Sequence, residues 1–531
     1  MEHFTEEEKR LLAPFVSNLD KPVFVLRNLP EVVKGALFSR YSRSTKSLRR
    51  TLLDEFIKNT DIGFETKSAT GGGFEGSVAT EKAEQFYDRV LMGYGDDSVA
   101  ELAGAHIALE DISIIATKVV EDARIGLSPL EKSTRYVYFD QKDERGKWRY
   151  CEEPALMASE FAPLYTETCN LLFSTYALLI PKITSFVSEK MPREEKLSER
   201  AYEAVVRSKT CDIIRGLLPA STKTNMGFFG NGRAYEYLIT KMYADQLGEI
   251  RDLAKAMQTE LRTTIPSFVK RPDTELGIVW QKYMNGTRLD KEGAGIKPEA
   301  DAEEVVLVDY DKDAEERVVA AAIYPYCARS MRSLLQDAKR MTQEQRNKII
   351  SEYVGERGNR RHKPGRGFEA ARYTFDICAN FGCYRDIHRH RALTQQRQVL
   401  GCTHGYTLPA EIVEAGYESE FRDAMDAAKV AWERISKKHP LAAQYAVPLA
   451  YRIRWQMALS LREAFHFCEL RSGRQGHIDY RRVAQDMFRE IERVHPVFAK
   501  HMKFMDMADY EFERLEAEKS LDKKIREMGK R

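Results

Sequence analysis

Leu217-Leu218-Pro219 with Arg233 fourteen residues further on, and Ala446-Val447-Pro448 with Arg462 fourteen residues further on, are one pattern written twice, 229 positions apart. Downstream, each copy leads through a charge-rich stretch to a similar ending, Thr264-Ile-Pro266-Ser-Phe268 in the first and Val494-His-Pro496-Val-Phe498 in the second, at offset 230. Upstream, Ser98-Val-Ala-Glu101 and Gly367-Phe-Glu369 each precede an apolar segment. Common order at near-constant spacing predicts a duplicated domain. The polar, Gly-bearing stretch from Asn285 to Glu304 has no periodicity and reads as the linker, which places one domain at 1–298 and the other at 299–531.

The 531 residues are 43% hydrophobic and 31% charged, with 83 Lys and Arg against 81 Asp and Glu. At roughly 100–200 residues per domain, such a chain can bury more than one core. A net charge of +2 excludes association driven by whole-molecule charge, so an anionic ligand would have to be met by a local cluster of bases. None of the eight cysteines has C-x-x-C spacing, and they read as thiols in a reducing cytosol. No run approaches the ~18 consecutive apolar residues of a membrane span. The acidic start, Met1 to Arg10, is unlike a targeting peptide, so a cytoplasmic protein without a membrane partner is expected. Helical periodicity covers Glu81–Met92, Asp245–Arg262, Val318–Leu335 and Arg481–Val494. Strands are expected at Thr134–Phe139, Val305–Tyr310 and Tyr373–Ile377, which makes the fold class α+β.

The strongest chemical signal is Tyr384-Arg-Asp-Ile-His-Arg-His-Arg391. On a helix, Arg385, His388 and Arg389 would share a face, and clustered guanidinium forks suit phosphate. A solvated basic face is the plain alternative. Zinc on His388 and His390 is not expected, because i,i+2 spacing points them to different helix faces. Arg357 to Arg366 reads as a solvated basic loop, a lid over an anion, or a nucleic-acid contact. Gly71-Gly-Gly73-Phe-Glu-Gly76 fits G-x-G-x-x-G formally, but no buried strand precedes it, so it reads as a loop.

Arg389-His-Arg391-Ala-Leu-Thr394 resembles the opening of the flavin-dependent thymidylate synthase signature, R-H-R-x-x-S-x-N-E-x-S-x-R-Y, while Val399, Gly401 and Cys402 replace its later S, R and Y. The first repeat supplies that closing half in Ser128, Glu131, Ser133, Arg135 and Tyr136, with Ala123 and Ile125 at the outer arginines. The A-R-x-L-L-P and N-x-R-x8-R segments divide likewise. The first half carries Arg215, Asn231 and Arg233 but Met242, and the second carries Gln444, Ser460, Arg462 and Arg471. Leu102 and Ala370 replace a family histidine, and Asp386 replaces a glutamine.

The resemblance implies two tandem domains forming a pseudo-dimer around one composite pocket for dUMP. In it Thr134, Arg135, Arg215, Arg389 and Glu131 would bind substrate. Ser133 and Arg471 would be the catalytic residues, Ser133 adding a hydrogen bond beside the phosphate and Arg471 bonding the uracil edge. His390, Asn231, Arg233, Arg462 and His466 would hold FAD. It further implies reductive methylation of dUMP to dTMP with methylenetetrahydrofolate and NADPH as cosubstrates, in a homodimer equivalent to the family tetramer. Rival readings are a related flavin enzyme acting on another pyrimidine nucleotide, and a non-catalytic nucleotide- or RNA-binding protein that kept the fold.

Overall fold

Both halves run strand, helix, strand, a helical stretch, strand, helix, helix, the helical stretch being two long helices in the first half and one in the second. In the first, β1 (Gly104–Ser113) runs into α1 (Ile114–Glu121), then come β2 (Leu127–Glu131), α2 (Ala162–Lys190), α3 (Glu199–Ile214), β3 (Lys223–Asn231), α4 (Gly232–Tyr243) and α5 (Gly248–Leu261). After β4 (Val305–Tyr310), the second half runs β5 (Arg372–Asn380), α6 (Phe381–Ile387), β6 (Leu393–Arg397), α7 (Glu418–Ile435), β7 (Arg452–Ser460), α8 (Leu461–Arg471) and α9 (Ile478–Val494). β7 falls 229 positions after β3, the offset of the repeated proline pattern. The computed structural model describes residues 2–58, 97–195, 197–287 and 304–528. The Gly71–Gly76 loop, the Glu81–Met92 periodicity and most of the 285–304 linker therefore lie outside the described residues.

Strand order repeats too, as β1-β3-β2 in one sheet and β5-β7-β6 in the other, where β4 adds an edge beside β5. β7 explains itself by period: Ile453, Trp455, Met457 and Leu459 point into the core and alternate with Arg452, Arg454 and Gln456. It pairs antiparallel with β5 from Arg372 opposite Ser460 to Asn380 opposite Arg452. Both β3 and β7 stop at a capping residue. The Asn231 side chain accepts the Ala234 N–H and starts α4, and Ser460 accepts the Glu463 N–H and starts α8.

The chain forms two compact units. One comprises Met1–Ile112, Ala116–Lys132 and Thr224–Ile296, and holds the three-stranded sheet with α4 and α5. The other comprises Ser113–Ile115, Ser133–Lys223 and Lys297–Arg531, so α2 and α3 from the first half join the second half's sheet and helices. By length and composition alone α2 could cross a membrane. In this unit it buries Tyr165, Leu172, Tyr176, Leu179 and Ile183 and packs on α3 and α7.

Within the second unit the two proline segments lie antiparallel, with Pro219 opposite Pro448. The Ala220 N–H donates to the Val447 carbonyl at 2.9 Å, and the Leu449 N–H donates to the Leu218 carbonyl at 2.9 Å. Likewise Ser221 N–H reaches the Tyr445 carbonyl at 3.3 Å, and Ala450 N–H reaches that of Gly216 at 2.9 Å. Each bond recurs 229 positions on with donor and acceptor exchanged, the mark of a local two-fold relation.

Three sequence expectations change. Thr134–Phe139 is not a strand but an irregular turn, because Ser133 accepts the Arg135 N–H and the Arg135 side chain is drawn inward. The Val318–Leu335 periodicity is broken at Pro325 into Ala314–Ile323 and Met331–Arg340. In the basic segment the helix ends at Ile387, so Arg389-His390-Arg391 sits in the connection to β6.

Candidate functional site

The turn after β2 delivers Thr134 and Arg135 into the second unit, and both are buried. Arg135 grips Asp212 of α3 with two bonds of 2.7 Å, from Nε and Nη2, while its Nη1 donates to the Tyr480 hydroxyl at 2.9 Å. Burial alone would raise the Asp212 carboxyl, but the Arg135 charge and hydrogen bonds overcome it and hold Asp212 well below the usual carboxylate range. Arg471, at the end of α8, stands over the same Tyr480 ring at 5.4 Å, against 5.5 Å for Arg135. Thr134 Oγ1 accepts from Arg385 Nη1 at 3.2 Å, which joins a first-half residue to the second-half basic segment.

Asp386 lies among these arginines. Arg215 Nη1 donates to its carboxylate at 3.1 Å, and Arg389 lies 3.8 Å away. Burial pushes the Asp386 carboxyl up, yet the fields of Arg215, Arg135, Arg389 and Arg471 reverse that and keep it ionised far into acid. Burial lowers the Arg471 guanidinium, with Tyr480 and Asp386 opposing. Arg215 Nη2 is buried without a hydrogen-bond partner, whereas the Arg389 side chain is 40% exposed. Arg135, Arg215, Arg389 and Arg471 act on Asp386, and Arg135 and Arg215 also on Asp212. With Arg385 these guanidinium groups outnumber the two carboxylates, an excess of positive charge that suits a phosphate.

His390 is buried between two partners: Arg471 Nε donates to its Nε2 at 2.9 Å, and its Nδ1 lies 2.9 Å from the Glu463 carboxylate. That pattern places the ring proton on Nδ1. Burial raises the Glu463 carboxyl and lowers His466 to about 4. Glu463 and Arg462 line a cavity of about 640 Å³ with Lys363, Arg372, Thr394 and Ser460. Arg462 also holds the Pro364 carbonyl at 2.8 Å and Glu369 at 3.2 Å. A second cavity of about 530 Å³ touches Asp212 and Arg215, and its wall mixes Glu411, Glu414, Asp479, Asp509, Glu511 and Glu513 with Lys190, Lys209 and Arg482. Lys209 pairs with Glu411 at 2.8 Å and with Glu513 at 3.4 Å.

Of the remaining sequence candidates, Glu131, Asn231 and Arg233 belong to the first unit and Ser133 to the second. Glu131 is buried and accepts from Lys118 Nζ at 3.1 Å and from Thr117 Oγ1 at 3.2 Å. Asn231 serves as the α4 cap. Arg233 pairs with Glu101 at 2.7 Å on the surface, as Arg462 pairs with Glu369 in the other repeat. Ser133 is half-buried, its hydroxyl engaged by the Arg135 N–H at 3.2 Å. Sequence reasoning missed Asp212, Tyr480 and Glu463. Only Asp212 left a trace, three residues before Arg215 on the same helix end. Arg357, read as a loop base, is buried in an ion pair with Glu469 at 2.5 Å.

The profile of a family described as thymidylate synthase complementing protein matches residues 48–267 and 306–497. The chain is 44% identical to a UPF0159 protein of Chlamydia pneumoniae over 524 residues, covering 97% of this chain and 98% of that one. It is 42% identical to a UPF0159 protein of Chlamydia muridarum (strain MoPn / Nigg), with the same coverage. A UPF0159 protein of Thermoplasma acidophilum is 35% identical, covering 91% of this chain and 97% of that one. With its repeated element order, its sheets and both matched regions, the chain belongs to the thymidylate synthase complementing protein family, in a tandem duplicated form.

Proposed function

We propose that the chain carries out FAD-dependent reductive methylation of dUMP to dTMP with methylenetetrahydrofolate, at one composite site per chain. The observation that carries this reading is the gathering of Arg135 and Arg215 from one half, and Arg389 and Arg471 from the other, around the same buried carboxylate, Asp386. Their excess charge suits the 5′-phosphate, with the exposed Arg389 as its entry contact and the unpartnered Arg215 Nη2 as a further donor. Arg471 would bond the uracil edge, and its bond to His390 fixes where the guanidinium stands. Ser133 and Thr134 would add hydrogen bonds at the phosphate end. A pseudo-dimer agrees with the reciprocal bonds at Pro219 and Pro448.

The cavity of about 640 Å³ fits the cofactor by its donors. Lys363, Arg372 and Arg462 would hold the pyrophosphate beside Asp309 and Asp311, which also line the cavity, and Glu369 would accept from sugar hydroxyls. FAD, when bound, supplies the redox chemistry, and NADPH would recharge it. Asn231 and Arg233 would add flavin contacts, and the assembly expected is a homodimer in the cytosol.

Asp386 favours one second reading. A carboxylate where the family signature has glutamine suits a related flavin enzyme for another pyrimidine nucleotide. The test is direct. The purified protein should absorb near ~450 nm as flavoproteins do, and calorimetry should show dUMP binding weakened about ten- to a hundredfold by Arg389→Ala, the loss of one charge-assisted contact. Binding of cytidylate in preference to dUMP selects the second reading. A colourless protein that retains RNA and ignores both nucleotides defeats both.

A further inference from the structure

Glu463 and His466 stand one turn apart on α8, so their side chains share a face, and the loop after α6 brings His390 onto it. One donor atom from each of the three lies within 4.8 Å of the others, and His390 Nδ1 is already 2.9 Å from Glu463 Oε1. On a tetrahedral ion with nitrogen and oxygen ligands at about 2.0–2.1 Å, donors lie roughly 3.3 Å apart, so only the wider pairs must close. Glu-x-x-His on one helix is a spacing that metal-binding helical proteins use. The basic segment alone concealed the set, because two of its members come from a helix more than seventy residues further along the chain.

We propose that His390, Glu463 and His466 form a site for one divalent transition-metal ion, bound through His390 Nδ1, the Glu463 carboxylate and a His466 ring nitrogen. Two imidazoles with one carboxylate suit Zn²⁺ or Fe²⁺ rather than Mg²⁺, and leave a coordination position open beside the cavity that Glu463 lines. Lys363, Arg360 and Arg462 surround the site and Arg471 touches His390, so these cations weaken the affinity that the ligands alone would give. Arg471 and the ion also exclude each other. With Nδ1 on the metal, the neutral ring carries its proton on Nε2, where it confronts the Arg471 Nε–H. Metal binding therefore breaks the Arg471–His390 hydrogen bond.

The experiment uses the full chain, stripped with a chelator, with neither nucleotide nor flavin present, so its failure leaves the reading of the enzyme untouched. Zn²⁺ titrated calorimetrically should bind at about one ion per chain, and Mg²⁺ should not compete. His466→Ala and Glu463→Gln should each weaken Zn²⁺ at least about a hundredfold, more than the 10–100-fold typical of an outer partner. Arg471→Ala should tighten it roughly tenfold, the scale of such an outer change. Should a variant misfold, the wild type loaded with Co²⁺ decides alone: paramagnetically shifted protons of two histidine rings support the site, and their absence overturns it. Equal Zn²⁺ binding by wild type and folded ligand variants also overturns it, and an unchanged affinity in Arg471→Ala overturns the exclusion.

Discussion

Arg135 pairs with Asp212 and donates to Tyr480, and its substitution reports on that buried pairing. Its fork closes on Asp212, whose side chain is 9% exposed, so deleting the guanidinium strands a buried charge. Removing one member of such a pair costs about 3–5 kcal/mol. Arg135→Ala should therefore lower stability by about that much in urea denaturation, and adding Asp212→Asn should recover part of it. Strict additivity in that double-mutant cycle would refute the coupling. Arg389 is the cleaner probe of ligand binding because its side chain is 40% exposed. Spacing made Arg135, Arg215, Arg389 and Arg471 legible, since each sits at a motif position. Their counter-ions were not: Asp212 meets Arg135 across 77 residues and Tyr480 meets it across 345, and no local pattern encodes such partners.

Elements were legible where one period dominates. Arg481–Val494 and Asp245–Arg262 are helical almost as read, and Val305–Tyr310 and Tyr373–Ile377 are strands. Thr134–Phe139 misled because an alternating β-rich run was overruled by one inward arginine. β6 escaped notice because Leu393-Thr-Gln-Gln-Arg397 is a polar edge strand with little apolar signal. The repeats also share a cap, Asn231 in one copy and Ser460 in the other. Ser460→Ala should cost about 1 kcal/mol in denaturant unfolding, while Ser460→Asn, which copies the other repeat, should stay near wild type. Equal losses in the two variants would mean that the cap hydrogen bond does not stabilise α8.

At the scale of the molecule, buried carboxylates set the acid limit. Asp212 and Asp386 are both held far below the value of about 3.9 that an unfolded aspartate has. As pH falls below about 4, the unfolded chain takes up protons that the folded one refuses, so stability falls; above that range the contribution is complete. The thermal midpoint should begin to fall below about pH 6.5, where the unfolded chain protonates histidines such as His466 and His477 that burial keeps neutral in the fold. It should fall further below about pH 4, that lower step being less steep in Asp212→Asn. A wild-type midpoint that is level down to about pH 3 would contradict this assignment. The duplication was legible from Pro219 and Pro448, but the sequence did not reveal that residues 133–223 pack with the later half, because packing partners leave no periodic trace.

The antiparallel meeting of Leu218 to Ser221 with Val447 to Ala450 has a consequence for evolution. Two separate polypeptides would have to find this contact by mass action, whereas a covalent tether keeps its two sides at an effective concentration on the order of millimolar. Dilution cannot part them. If the two copies share one site, such a tether would let each discard arginines that its fused sibling retains.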